Sequence, residues 1–413
     1  MGTRPSAVAS GMFRLMGKLQ TLARVYFTFF IDTLGWAIVF PIFAPYFLNR
    51  SDLAAPLMTL GLFLMAFPLG QFFFAPILGG WADRYGKRRI LAFTVLFTFF
   101  GMALTAWSFQ INHLPLLFFS RLVTGCCAGN MSLCLACLAD VGTTEHQRTR
   151  YFGYLSMFAG FSFILGALAG GKLSDPDLVS WFTPAFPLWM TTVLTGLNVL
   201  CVASWLRKDP HLHQTPHAAM RLFKPLQNIR QAIHKNRVLY MVYFLFLFAW
   251  SLLFQFTPVL VVEKYGFSGS DIGDLSIYMG FFWVLGSIYL SKWLKHWFSS
   301  IQILKGCLLL FTIFCASLTI PCQLWISLVI LAGCITLSGL AWPLCLGILA
   351  EAAPKEAQGK SLGISQSVQS LALSTAPAIG GVISQLSVSA PFLLGAAASL
   401  TAGIVYYLSK GDQ

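Results

Sequence analysis

The sequence predicts an all-α membrane protein with twelve transmembrane helices in two six-helix halves. Of its 413 residues, 57% are hydrophobic and only 10% are charged, whereas ordinary soluble domains carry about 25% charged residues. The apolar residues form long runs near the length of about 20 residues that a helix needs to cross the hydrocarbon core. The cations collect in alternate connections between these runs, as the positive-inside rule requires.

Twelve apolar runs are long enough to cross a membrane. They divide the chain into an N-terminal half over 24–205 and a C-terminal half over 238–413. Six spans, a polar segment and six more spans are typical of transporters built from two parallel repeats. The predicted spans are 24–48, 57–79, 90–110, 114–139, 151–171, 184–205, 238–262, 272–291, 301–320, 323–349, 361–386 and 389–409.

Two polar segments flank the N-terminal half. Residues 1–23 are predicted to be a cytoplasmic tail, and they are compatible with either an interfacial helix or a loose chain. Residues 206–237 are predicted to be a cytoplasmic linker, because Pro210 and Pro216 interrupt any helix there. The spacing of three histidines in this linker suits a metal, but a solvated linker is the favoured interpretation and no metal site is predicted. These histidines are His211, His213 and His217.

The distribution of charge predicts the topology. Of the 27 cations, 23 fall on one side of the predicted spans, and only Arg50, Lys172 and Lys264 fall on the other. The cation-rich side faces the cytoplasm, so both termini and residue 220 are predicted to be cytoplasmic, and residue 268 external, in a multi-pass protein of the cell inner membrane. Because the cations are spread over membrane loops, the net charge of +13 predicts contact with membrane lipid and no nucleic-acid partner.

A short charged stretch lies between the second and third spans. Gly79-Gly80-Trp81-Ala82-Asp83-Arg84-Tyr85-Gly86-Lys87-Arg88-Arg89 carries four cations and one aspartate, which the hydrocarbon core excludes. We predict a tight reversal in which Gly79 and Gly86 end one helix and turn the chain. The pattern resembles the signature loop of the major facilitator superfamily, although Trp81 replaces the usual leucine. The resemblance implies a cytoplasmic conformational latch, whose residues are Gly79, Asp83, Arg84, Gly86, Lys87, Arg88 and Asp140.

Two ionisable side chains lie deep inside predicted spans, Asp32 in the first and Arg121 in the fourth. Because a charge in the membrane is costly, such residues are expected to be functional, and a buried structural ion pair is the alternative. Asp32-x-x-Gly35 followed by Pro41, and Arg121-Leu-Val-Thr-Gly125, resemble spans of the twelve-span drug/proton antiporters, in particular the tetracycline/proton antiporters. The resemblance implies that Asp32 carries the coupled proton and that Arg121 tunes its proton affinity.

Glycines recur along the fifth span. Gly160, Gly166, Gly170 and Gly171 resemble the antiporter motif of that span, although Ala167 stands in place of its usual proline. The motif implies close helix contacts at the interface between the halves. The specific motifs of the resemblance all fall within 1–205, whereas the C-terminal half shares mainly its hydropathy.

The predicted cavity between the halves is apolar with a few polar points, which suits an amphipathic organic molecule. Its candidate lining residues are neutral polar or aromatic side chains within spans. Two of them, Gln366 and Gln369, lie one turn apart on one helix face. The candidates are Trp36, Gln71, Asn130, Tyr243, Trp250, Gln255, Gln366 and Gln369.

Together these features predict a monomeric secondary transporter that exports a small amphipathic organic compound, a drug or a metabolite, in exchange for protons. An importer of a nutrient or siderophore on the same fold, and a non-transporting membrane receptor, are the open alternatives. The sequence has no Gly-x4-Gly-Lys-Ser/Thr loop, which argues against an ATP-driven pump. It also lacks a catalytic constellation, so neither an enzyme activity nor a cofactor is predicted.

Overall fold

The structure is a computed structural model, and it describes residues 7–141, 145–206, 236–352 and 358–408. Within these ranges the chain forms fifteen α-helices, one short π-helix and no strand. Helices suit the long apolar runs because, without water in the hydrocarbon, each backbone N–H and C=O must pair within its own segment. The α-helices are α1 Ala7–Ala37, α2 Val39–Leu48, α3 Pro56–Tyr85, α4 Lys87–Gln110, α5 Leu114–Cys126, α6 Asn130–Val141, α7 Glu145–Lys172, α8 Ala185–Leu206, α9 Arg237–Tyr265, α10 Gly269–Val284, α11 Ser291–Leu294, α12 Ser300–Ser317, α13 Leu324–Glu351, α14 Gln358–Ile383 and α15 Ala390–Leu408. The π-helix, Leu285–Leu290, joins α10 to α11.

Nine helical segments in the described ranges are long and apolar enough to cross a membrane. Two of these segments combine consecutive helices, because α1 continues into α2 after a turn at Ile38, and α10 continues through the π-helix into α11. Two further apolar helices, Leu114–Cys126 and Met157–Lys172, are shorter. The predicted all-α membrane fold is therefore confirmed, and the count of twelve spans stays a prediction.

The N-terminal segment is helical from Ala7, and α1 runs without interruption to Ala37. Residues 7–23 therefore extend the first span as a helix and do not form a loose tail. The predicted linker cannot be described in the same way. Residues 207–235, with the three histidines and position 220, lie outside the described residues, so the division into two halves and a linker stays a prediction.

The reversal between the second and third predicted spans is tighter than the sequence suggested. Helix α3 continues to Tyr85 and α4 begins at Lys87, so Gly86 alone separates them. The φ of Gly86 is 93°, a value that glycine adopts without a Cβ penalty. The prediction that Gly79 ends a helix is wrong, because α3 passes through Gly79 and a helix can extend beyond the hydrocarbon with its charges in water.

The two predicted halves meet along two helix pairs, α3 with α14 and α7 with α10, and α2 also packs against α9. Glycines let the paired backbones approach closely. A Cβ at Gly61 would overlap the carbonyl oxygen of Pro377, and a Cβ at Gly171 would overlap that of Gly269. Because Gly61 and Gly171 lie at the predicted external ends of α3 and α7, the halves touch backbone to backbone at that end.

The buried apolar side chains form two separate clusters, whose positions agree with these contacts. One core cluster joins the C-terminal half to the predicted external end of the N-terminal half, where Phe47 and Leu60 belong to it. A separate cluster, which includes Val25, Leu91 and Cys134, occupies the predicted cytoplasmic end of the N-terminal half. Among the described residues, apolar packing thus unites the halves at the external end and gives the inner end of the N-terminal half its own core.

Candidate functional site

A cavity of about 370 Å³ lies between the two predicted halves, near the middle of the helices. All eight helices of the N-terminal half, α1 to α8, contribute lining residues, and α9, α10, α13 and α14 contribute them from the other half. Two of the described lining residues, Asp32 and Arg121, have side chains of the kind that is charged at neutral pH when exposed to water. The remaining polar lining residues are Thr33, Gln71, Thr98, Thr124, Asn130, Thr195, Asn198, Gln255 and Gln369.

Asp32 lies in the second half of α1, where the residue is partly exposed and lines the cavity. Asn130, the first residue of α6, donates a hydrogen bond from Nδ2 to Asp32 Oδ1 at 2.8 Å. The break between α5 and α6 at 127–129 places this amide at a helix start rather than along a helix side. Asn130 is 1% exposed, and its own Oδ1 has no hydrogen-bond partner among the residues that the structure describes.

Arg121 lies on α5 and is 3% exposed. Its guanidinium carbon stands 5.1 Å from the ring centre of Phe67 and 5.9 Å from that of Phe43, and such cation–π contacts stabilise a desolvated cation by about 2 kcal/mol. Its Nε is buried and has no hydrogen-bond partner in the described part of the chain. Within the described residues Arg121 makes no ion pair with Asp32, so the predicted pairing of these two charges is not formed in this conformation.

Aromatic rings form one wall of the cavity. The Trp36 and Phe254 rings are nearly parallel, with an angle of 8° and centres 6.0 Å apart, and Trp250 stacks on Phe254 at 5.3 Å. The wall continues from Trp250 to Trp283 at 5.7 Å and from Trp283 to Trp342 at 5.8 Å. Trp283 and Trp342 were not among the predicted residues. Their position inside spans is a usable signal, because membrane tryptophans are usually concentrated at the two interfaces.

Six of the eight predicted cavity residues line the cavity, and Tyr243 and Gln366 do not. Tyr243 is fully buried behind the wall, where its hydroxyl donates to Gln369 Oε1 at 3.2 Å and accepts from Trp342 Nε1 at 3.3 Å. Tyr243 therefore orients two residues that do face the cavity. Gln366 shares a helix face with Gln369 but lies outside the lining residues. The six lining residues are Trp36, Gln71, Asn130, Trp250, Gln255 and Gln369.

Gln71 connects the two halves beside the cavity. Its Nε2 donates to the carbonyl oxygen of Ala128 at 3.2 Å, and Ser370 Oγ on α14 donates to its Oε1 at 3.2 Å. The bond to Ser370 crosses from one half to the other. Gln255 stays within its own helix, where Nε2 donates to Ser251 Oγ at 2.7 Å.

The predicted latch residues lie at the inner ends of α3, α4 and α6. Lys87 Nζ donates to the carbonyl oxygen of Ala136 on α6 at 3.3 Å, which ties α4 to the helix that carries Asp140. The Arg84 guanidinium lies 5.1 Å from the Tyr85 ring centre. Arg88 is half-buried. The side chains of Asp83 and Asp140 lie outside the described part of the chain, so the latch stays a prediction.

The glycines of the fifth predicted span pack in two directions. A Cβ at Gly166 would come within 2.7 Å of the Leu34 carbonyl oxygen, and one at Gly170 would overlap that of Ile38. These two glycines therefore pack against the first span within the same half, whereas the motif was expected to act at the interface between halves. Gly171 does act there, against Gly269, and a Cβ at Gly160 would have nothing within 4 Å.

Ionic contacts mark the predicted external end. Lys172 Nζ pairs with Asp274 Oδ2 at 2.7 Å and donates to Ser270 Oγ at 2.8 Å, which links α7 to α10 across the halves. Arg50 and Asp52 form a second pair at 2.7 Å within one half. The Arg50 guanidinium, by hydrogen bonding, holds the pKa of the Asp52 carboxyl below its ordinary value.

Comparison with known proteins agrees with this architecture. Tetracycline resistance protein, class H, of Pasteurella multocida is 34% identical over 146 residues, which are 35% of this chain and 35% of that protein. The chain therefore aligns with about a third of the length of that relative. Quinolone resistance protein NorA of Staphylococcus aureus (strain COL) is 24% identical over 395 residues, 94% of this chain and 95% of that protein.

A solved structure and a family model cover nearly the whole chain. The crystal structure of the human organic anion transporter MFSD10 (TETRAN) matches with a TM-score of 0.69 and 18% identity, over 94% of this chain and 99% of that one. The sequence model of the Major Facilitator Superfamily matches residues 25–337 and 303–412. The apolar helices and the cavity between the two predicted halves agree with this match. The chain therefore belongs to the Major Facilitator Superfamily and is a membrane transporter, not an enzyme.

Proposed function

We propose that this protein exports a small amphipathic organic compound from the cell in exchange for protons. The observation that carries the proposal is the placement of the titratable carboxylate of Asp32 in the same cavity as an aromatic wall. Relatives named for tetracycline and quinolone resistance support the direction of transport, because removal of a compound from the cell confers resistance to it. The proposal also takes the functional unit to be a monomer in the plasma membrane.

Asp32 is the proton carrier in this proposal, and Asn130 can form a hydrogen bond with Asp32 in both of its protonation states. An ionised carboxylate only accepts hydrogen bonds, whereas a protonated one also donates. Asn130 Nδ2 donates to the ionised form, and its unpartnered Oδ1 can accept from the acid O–H after the amide turns. Arg121 contributes a positive charge to the same cavity, and it acts on Asp32 without a direct ion pair.

Transport requires that the halves alternate between two arrangements. The contacts of Gly171 and Lys172 with α10 hold the predicted external end together, which corresponds to the arrangement that opens inward. The motif around Asp83, Lys87 and Asp140 is the latch that closes the opposite end in the other arrangement. The contact of Lys87 with α6 lies within the N-terminal half and holds the inner ends of α4 and α6 together, near the other residues of the latch.

Inverted membrane vesicles test the proposal. Vesicles that contain the protein should accumulate an amphipathic organic compound when a proton gradient is imposed, and a protonophore should abolish the accumulation. Gradient-driven accumulation only in right-side-out vesicles would instead indicate an importer, and binding without any flux would indicate a receptor. Cysteine labelling at positions 220 and 268 in a cysteine-free background tests the orientation. Only position 268 should react from outside.

A further inference from the structure

The guanidinium of Arg121 is a charged group without a hydrogen-bonding partner among the described residues. Its Nε is buried and unpaired, and its contacts are the faces of Phe43 and Phe67. The ring faces offset part of the positive charge, but they accept no hydrogen bond from the N–H groups that point outward in the plane of the guanidinium. Arginine stays protonated in proteins, so these donors need an acceptor, and the side chain is 97% covered.

An acceptor that enters the cavity can reach Arg121, because Arg121 lines it. The other charged lining residue, Asp32, is hydrogen-bonded to Asn130 and makes no ion pair with Arg121. Phe43 and Phe67 also line the cavity, and their rings restrict the plane of the guanidinium. A planar guanidinium held in this way is pre-organised for two parallel hydrogen bonds with a carboxylate.

A second unpaired donor lies in the aromatic wall. Trp250 Nε1 is buried and has no hydrogen-bond partner in the described residues, although its ring is stacked on Phe254. The stack of Trp36, Phe254 and Trp250 presents flat apolar surface to the cavity. Planar ring systems bind to such surfaces by offset stacking.

We propose that the cavity selects planar aromatic compounds that carry an anionic group, with Arg121 binding the anion and the stack of Trp36, Phe254 and Trp250 binding the ring. This inference rests on the proposed function, whose substrate class it specifies. Arg121 is then a specificity-determining residue. Its position on α5 places the anion in the N-terminal half, while the rings of Trp250 and Phe254 belong to the C-terminal half.

A matched pair of probes tests the proposal with the purified protein in phosphatidylcholine nanodiscs at neutral pH. The probes are 2-anthracenecarboxylate and 2-anthracenecarboxamide, which have nearly the same shape and differ in charge. Binding is measured as energy transfer from protein tryptophan to the anthracene ring. The wild-type protein should bind the carboxylate at least about tenfold more tightly than the carboxamide, since a charge-assisted bidentate pair replaces neutral hydrogen bonds.

Two variants and a control separate Arg121 from general charge effects. Arg121→Gln should weaken carboxylate binding to the level of the carboxamide and leave carboxamide binding within about twofold of wild type. Arg121→Lys should keep part of the preference, because a lysine retains the charge without the fork. Arg50→Gln removes an arginine outside the cavity, whose partner is Asp52, and should keep the full preference.

Three outcomes would overturn the inference: equal affinity of the wild-type protein for both probes, failure of both to bind, or a preference that survives in Arg121→Gln. The comparison of probes on wild-type protein remains decisive if the glutamine variant does not fold. A failure of the proposed function is distinguishable, because the charge preference would then be present while protonophore-sensitive accumulation in vesicles is absent.

Discussion

The two halves of the transporter contribute different chemistry to one cavity. Both of the ionisable lining residues named above, Asp32 and Arg121, come from the N-terminal half. Among the described residues, the C-terminal half provides neutral side chains and three of the four lining tryptophans, Trp250, Trp283 and Trp342. The difference suggests that the coupled proton is handled by one half, whereas the ring of the transported compound is held largely by the other.

The halves also differ in the charge of the segments that connect their helices. In the N-terminal half, Gly86 alone separates α3 from α4, and charged residues surround it. The corresponding part of the C-terminal half, 286–300, contains no acidic residue and includes a π-helix. There a Cβ at Gly286 would overlap the Thr336 carbonyl oxygen. This part of the second half therefore lacks the acid of the charged motif and instead packs closely against α13 at Gly286.

Apart from substitution of Asp32 itself, the largest effect in the N-terminal half is expected from Asn130→Ala. The substitution removes the described hydrogen bond to Asp32, and a hydrogen bond to a charged group contributes about 1.5–3 kcal/mol. The initial rate of proton-driven accumulation should fall about tenfold or more. Asn198→Ala is the matched control, because Asn198 also lines the cavity but accepts its described hydrogen bond from Thr28. An equal loss in both variants would argue against a special role of Asn130.

The joint between the halves is tested by Gly171→Ala. The added Cβ would overlap Gly269, and overpacking of this kind costs about 1–3 kcal/mol, so the closed external end should lose population about fivefold or more. Spin labels at positions 178 and 263, whose side chains are exposed in the structure, would report the separation of the external ends. Gly160→Ala, on the same helix with nothing within 4 Å, should keep the wild-type distance distribution. Similar distributions for the two variants would contradict the proposed joint.

The C-terminal half is tested by Trp250→Leu. Loss of stacking against Phe254 and Trp283 should weaken binding of 2-anthracenecarboxylate about two- to tenfold, since aromatic pairs contribute about 0.5–1.5 kcal/mol. The coupling of flux to protons should be unchanged in this variant. Trp297→Leu, at a side chain that is 75% exposed, is the control. If Trp250→Leu uncoupled proton flux from transport, the division of labour between the halves would be refuted.

The smallest effect is expected from Lys172→Gln. The substitution breaks the pair with Asp274 across the halves, but the two side chains are 37% and 55% exposed, and exposed pairs contribute about 0.2–1 kcal/mol. The open external population should rise by at most about fivefold, and high salt should have a similar effect on the wild-type protein. Arg50→Gln breaks a pair within one half and should leave the distances unchanged. A response of the same size in both variants would remove Lys172 from the external closure.

Some of this organisation could be predicted from sequence, and the reason is physical. Asp32 and Arg121 stand out because charges are costly inside apolar runs. Phe40 and Phe163, which also line the cavity, do not, because a phenylalanine that faces the cavity looks the same in sequence as one that faces lipid. The hydrogen bond of Asn130 to Asp32 joins residues 98 positions apart, so it depends on the packing of α1 against α6, which periodicity does not specify.

Helix boundaries illustrate the same limit. The breaks at Ile38 and at 127–129 fall within single apolar runs, where hydropathy is continuous. Conversely, the glycine at position 79 suggests a helix end in the sequence, but Gly79 lies within α3. Hydropathy therefore locates apolar helices, whereas the direction in which a residue such as Gly166 packs depends on which helix lies beside it.

The most direct test of the central claim, that Asp32 carries the proton, uses Asp32→Asn protein in proteoliposomes. The amide is nearly isosteric with the carboxylate but does not titrate. Two assays on the same purified preparation should diverge: accumulation driven by an imposed pH gradient should be abolished, while exchange of labelled for unlabelled compound at equal concentrations should persist, because exchange moves no net protons. Normal gradient-driven accumulation by well-folded Asp32→Asn protein would contradict the account and would place the proton on another group.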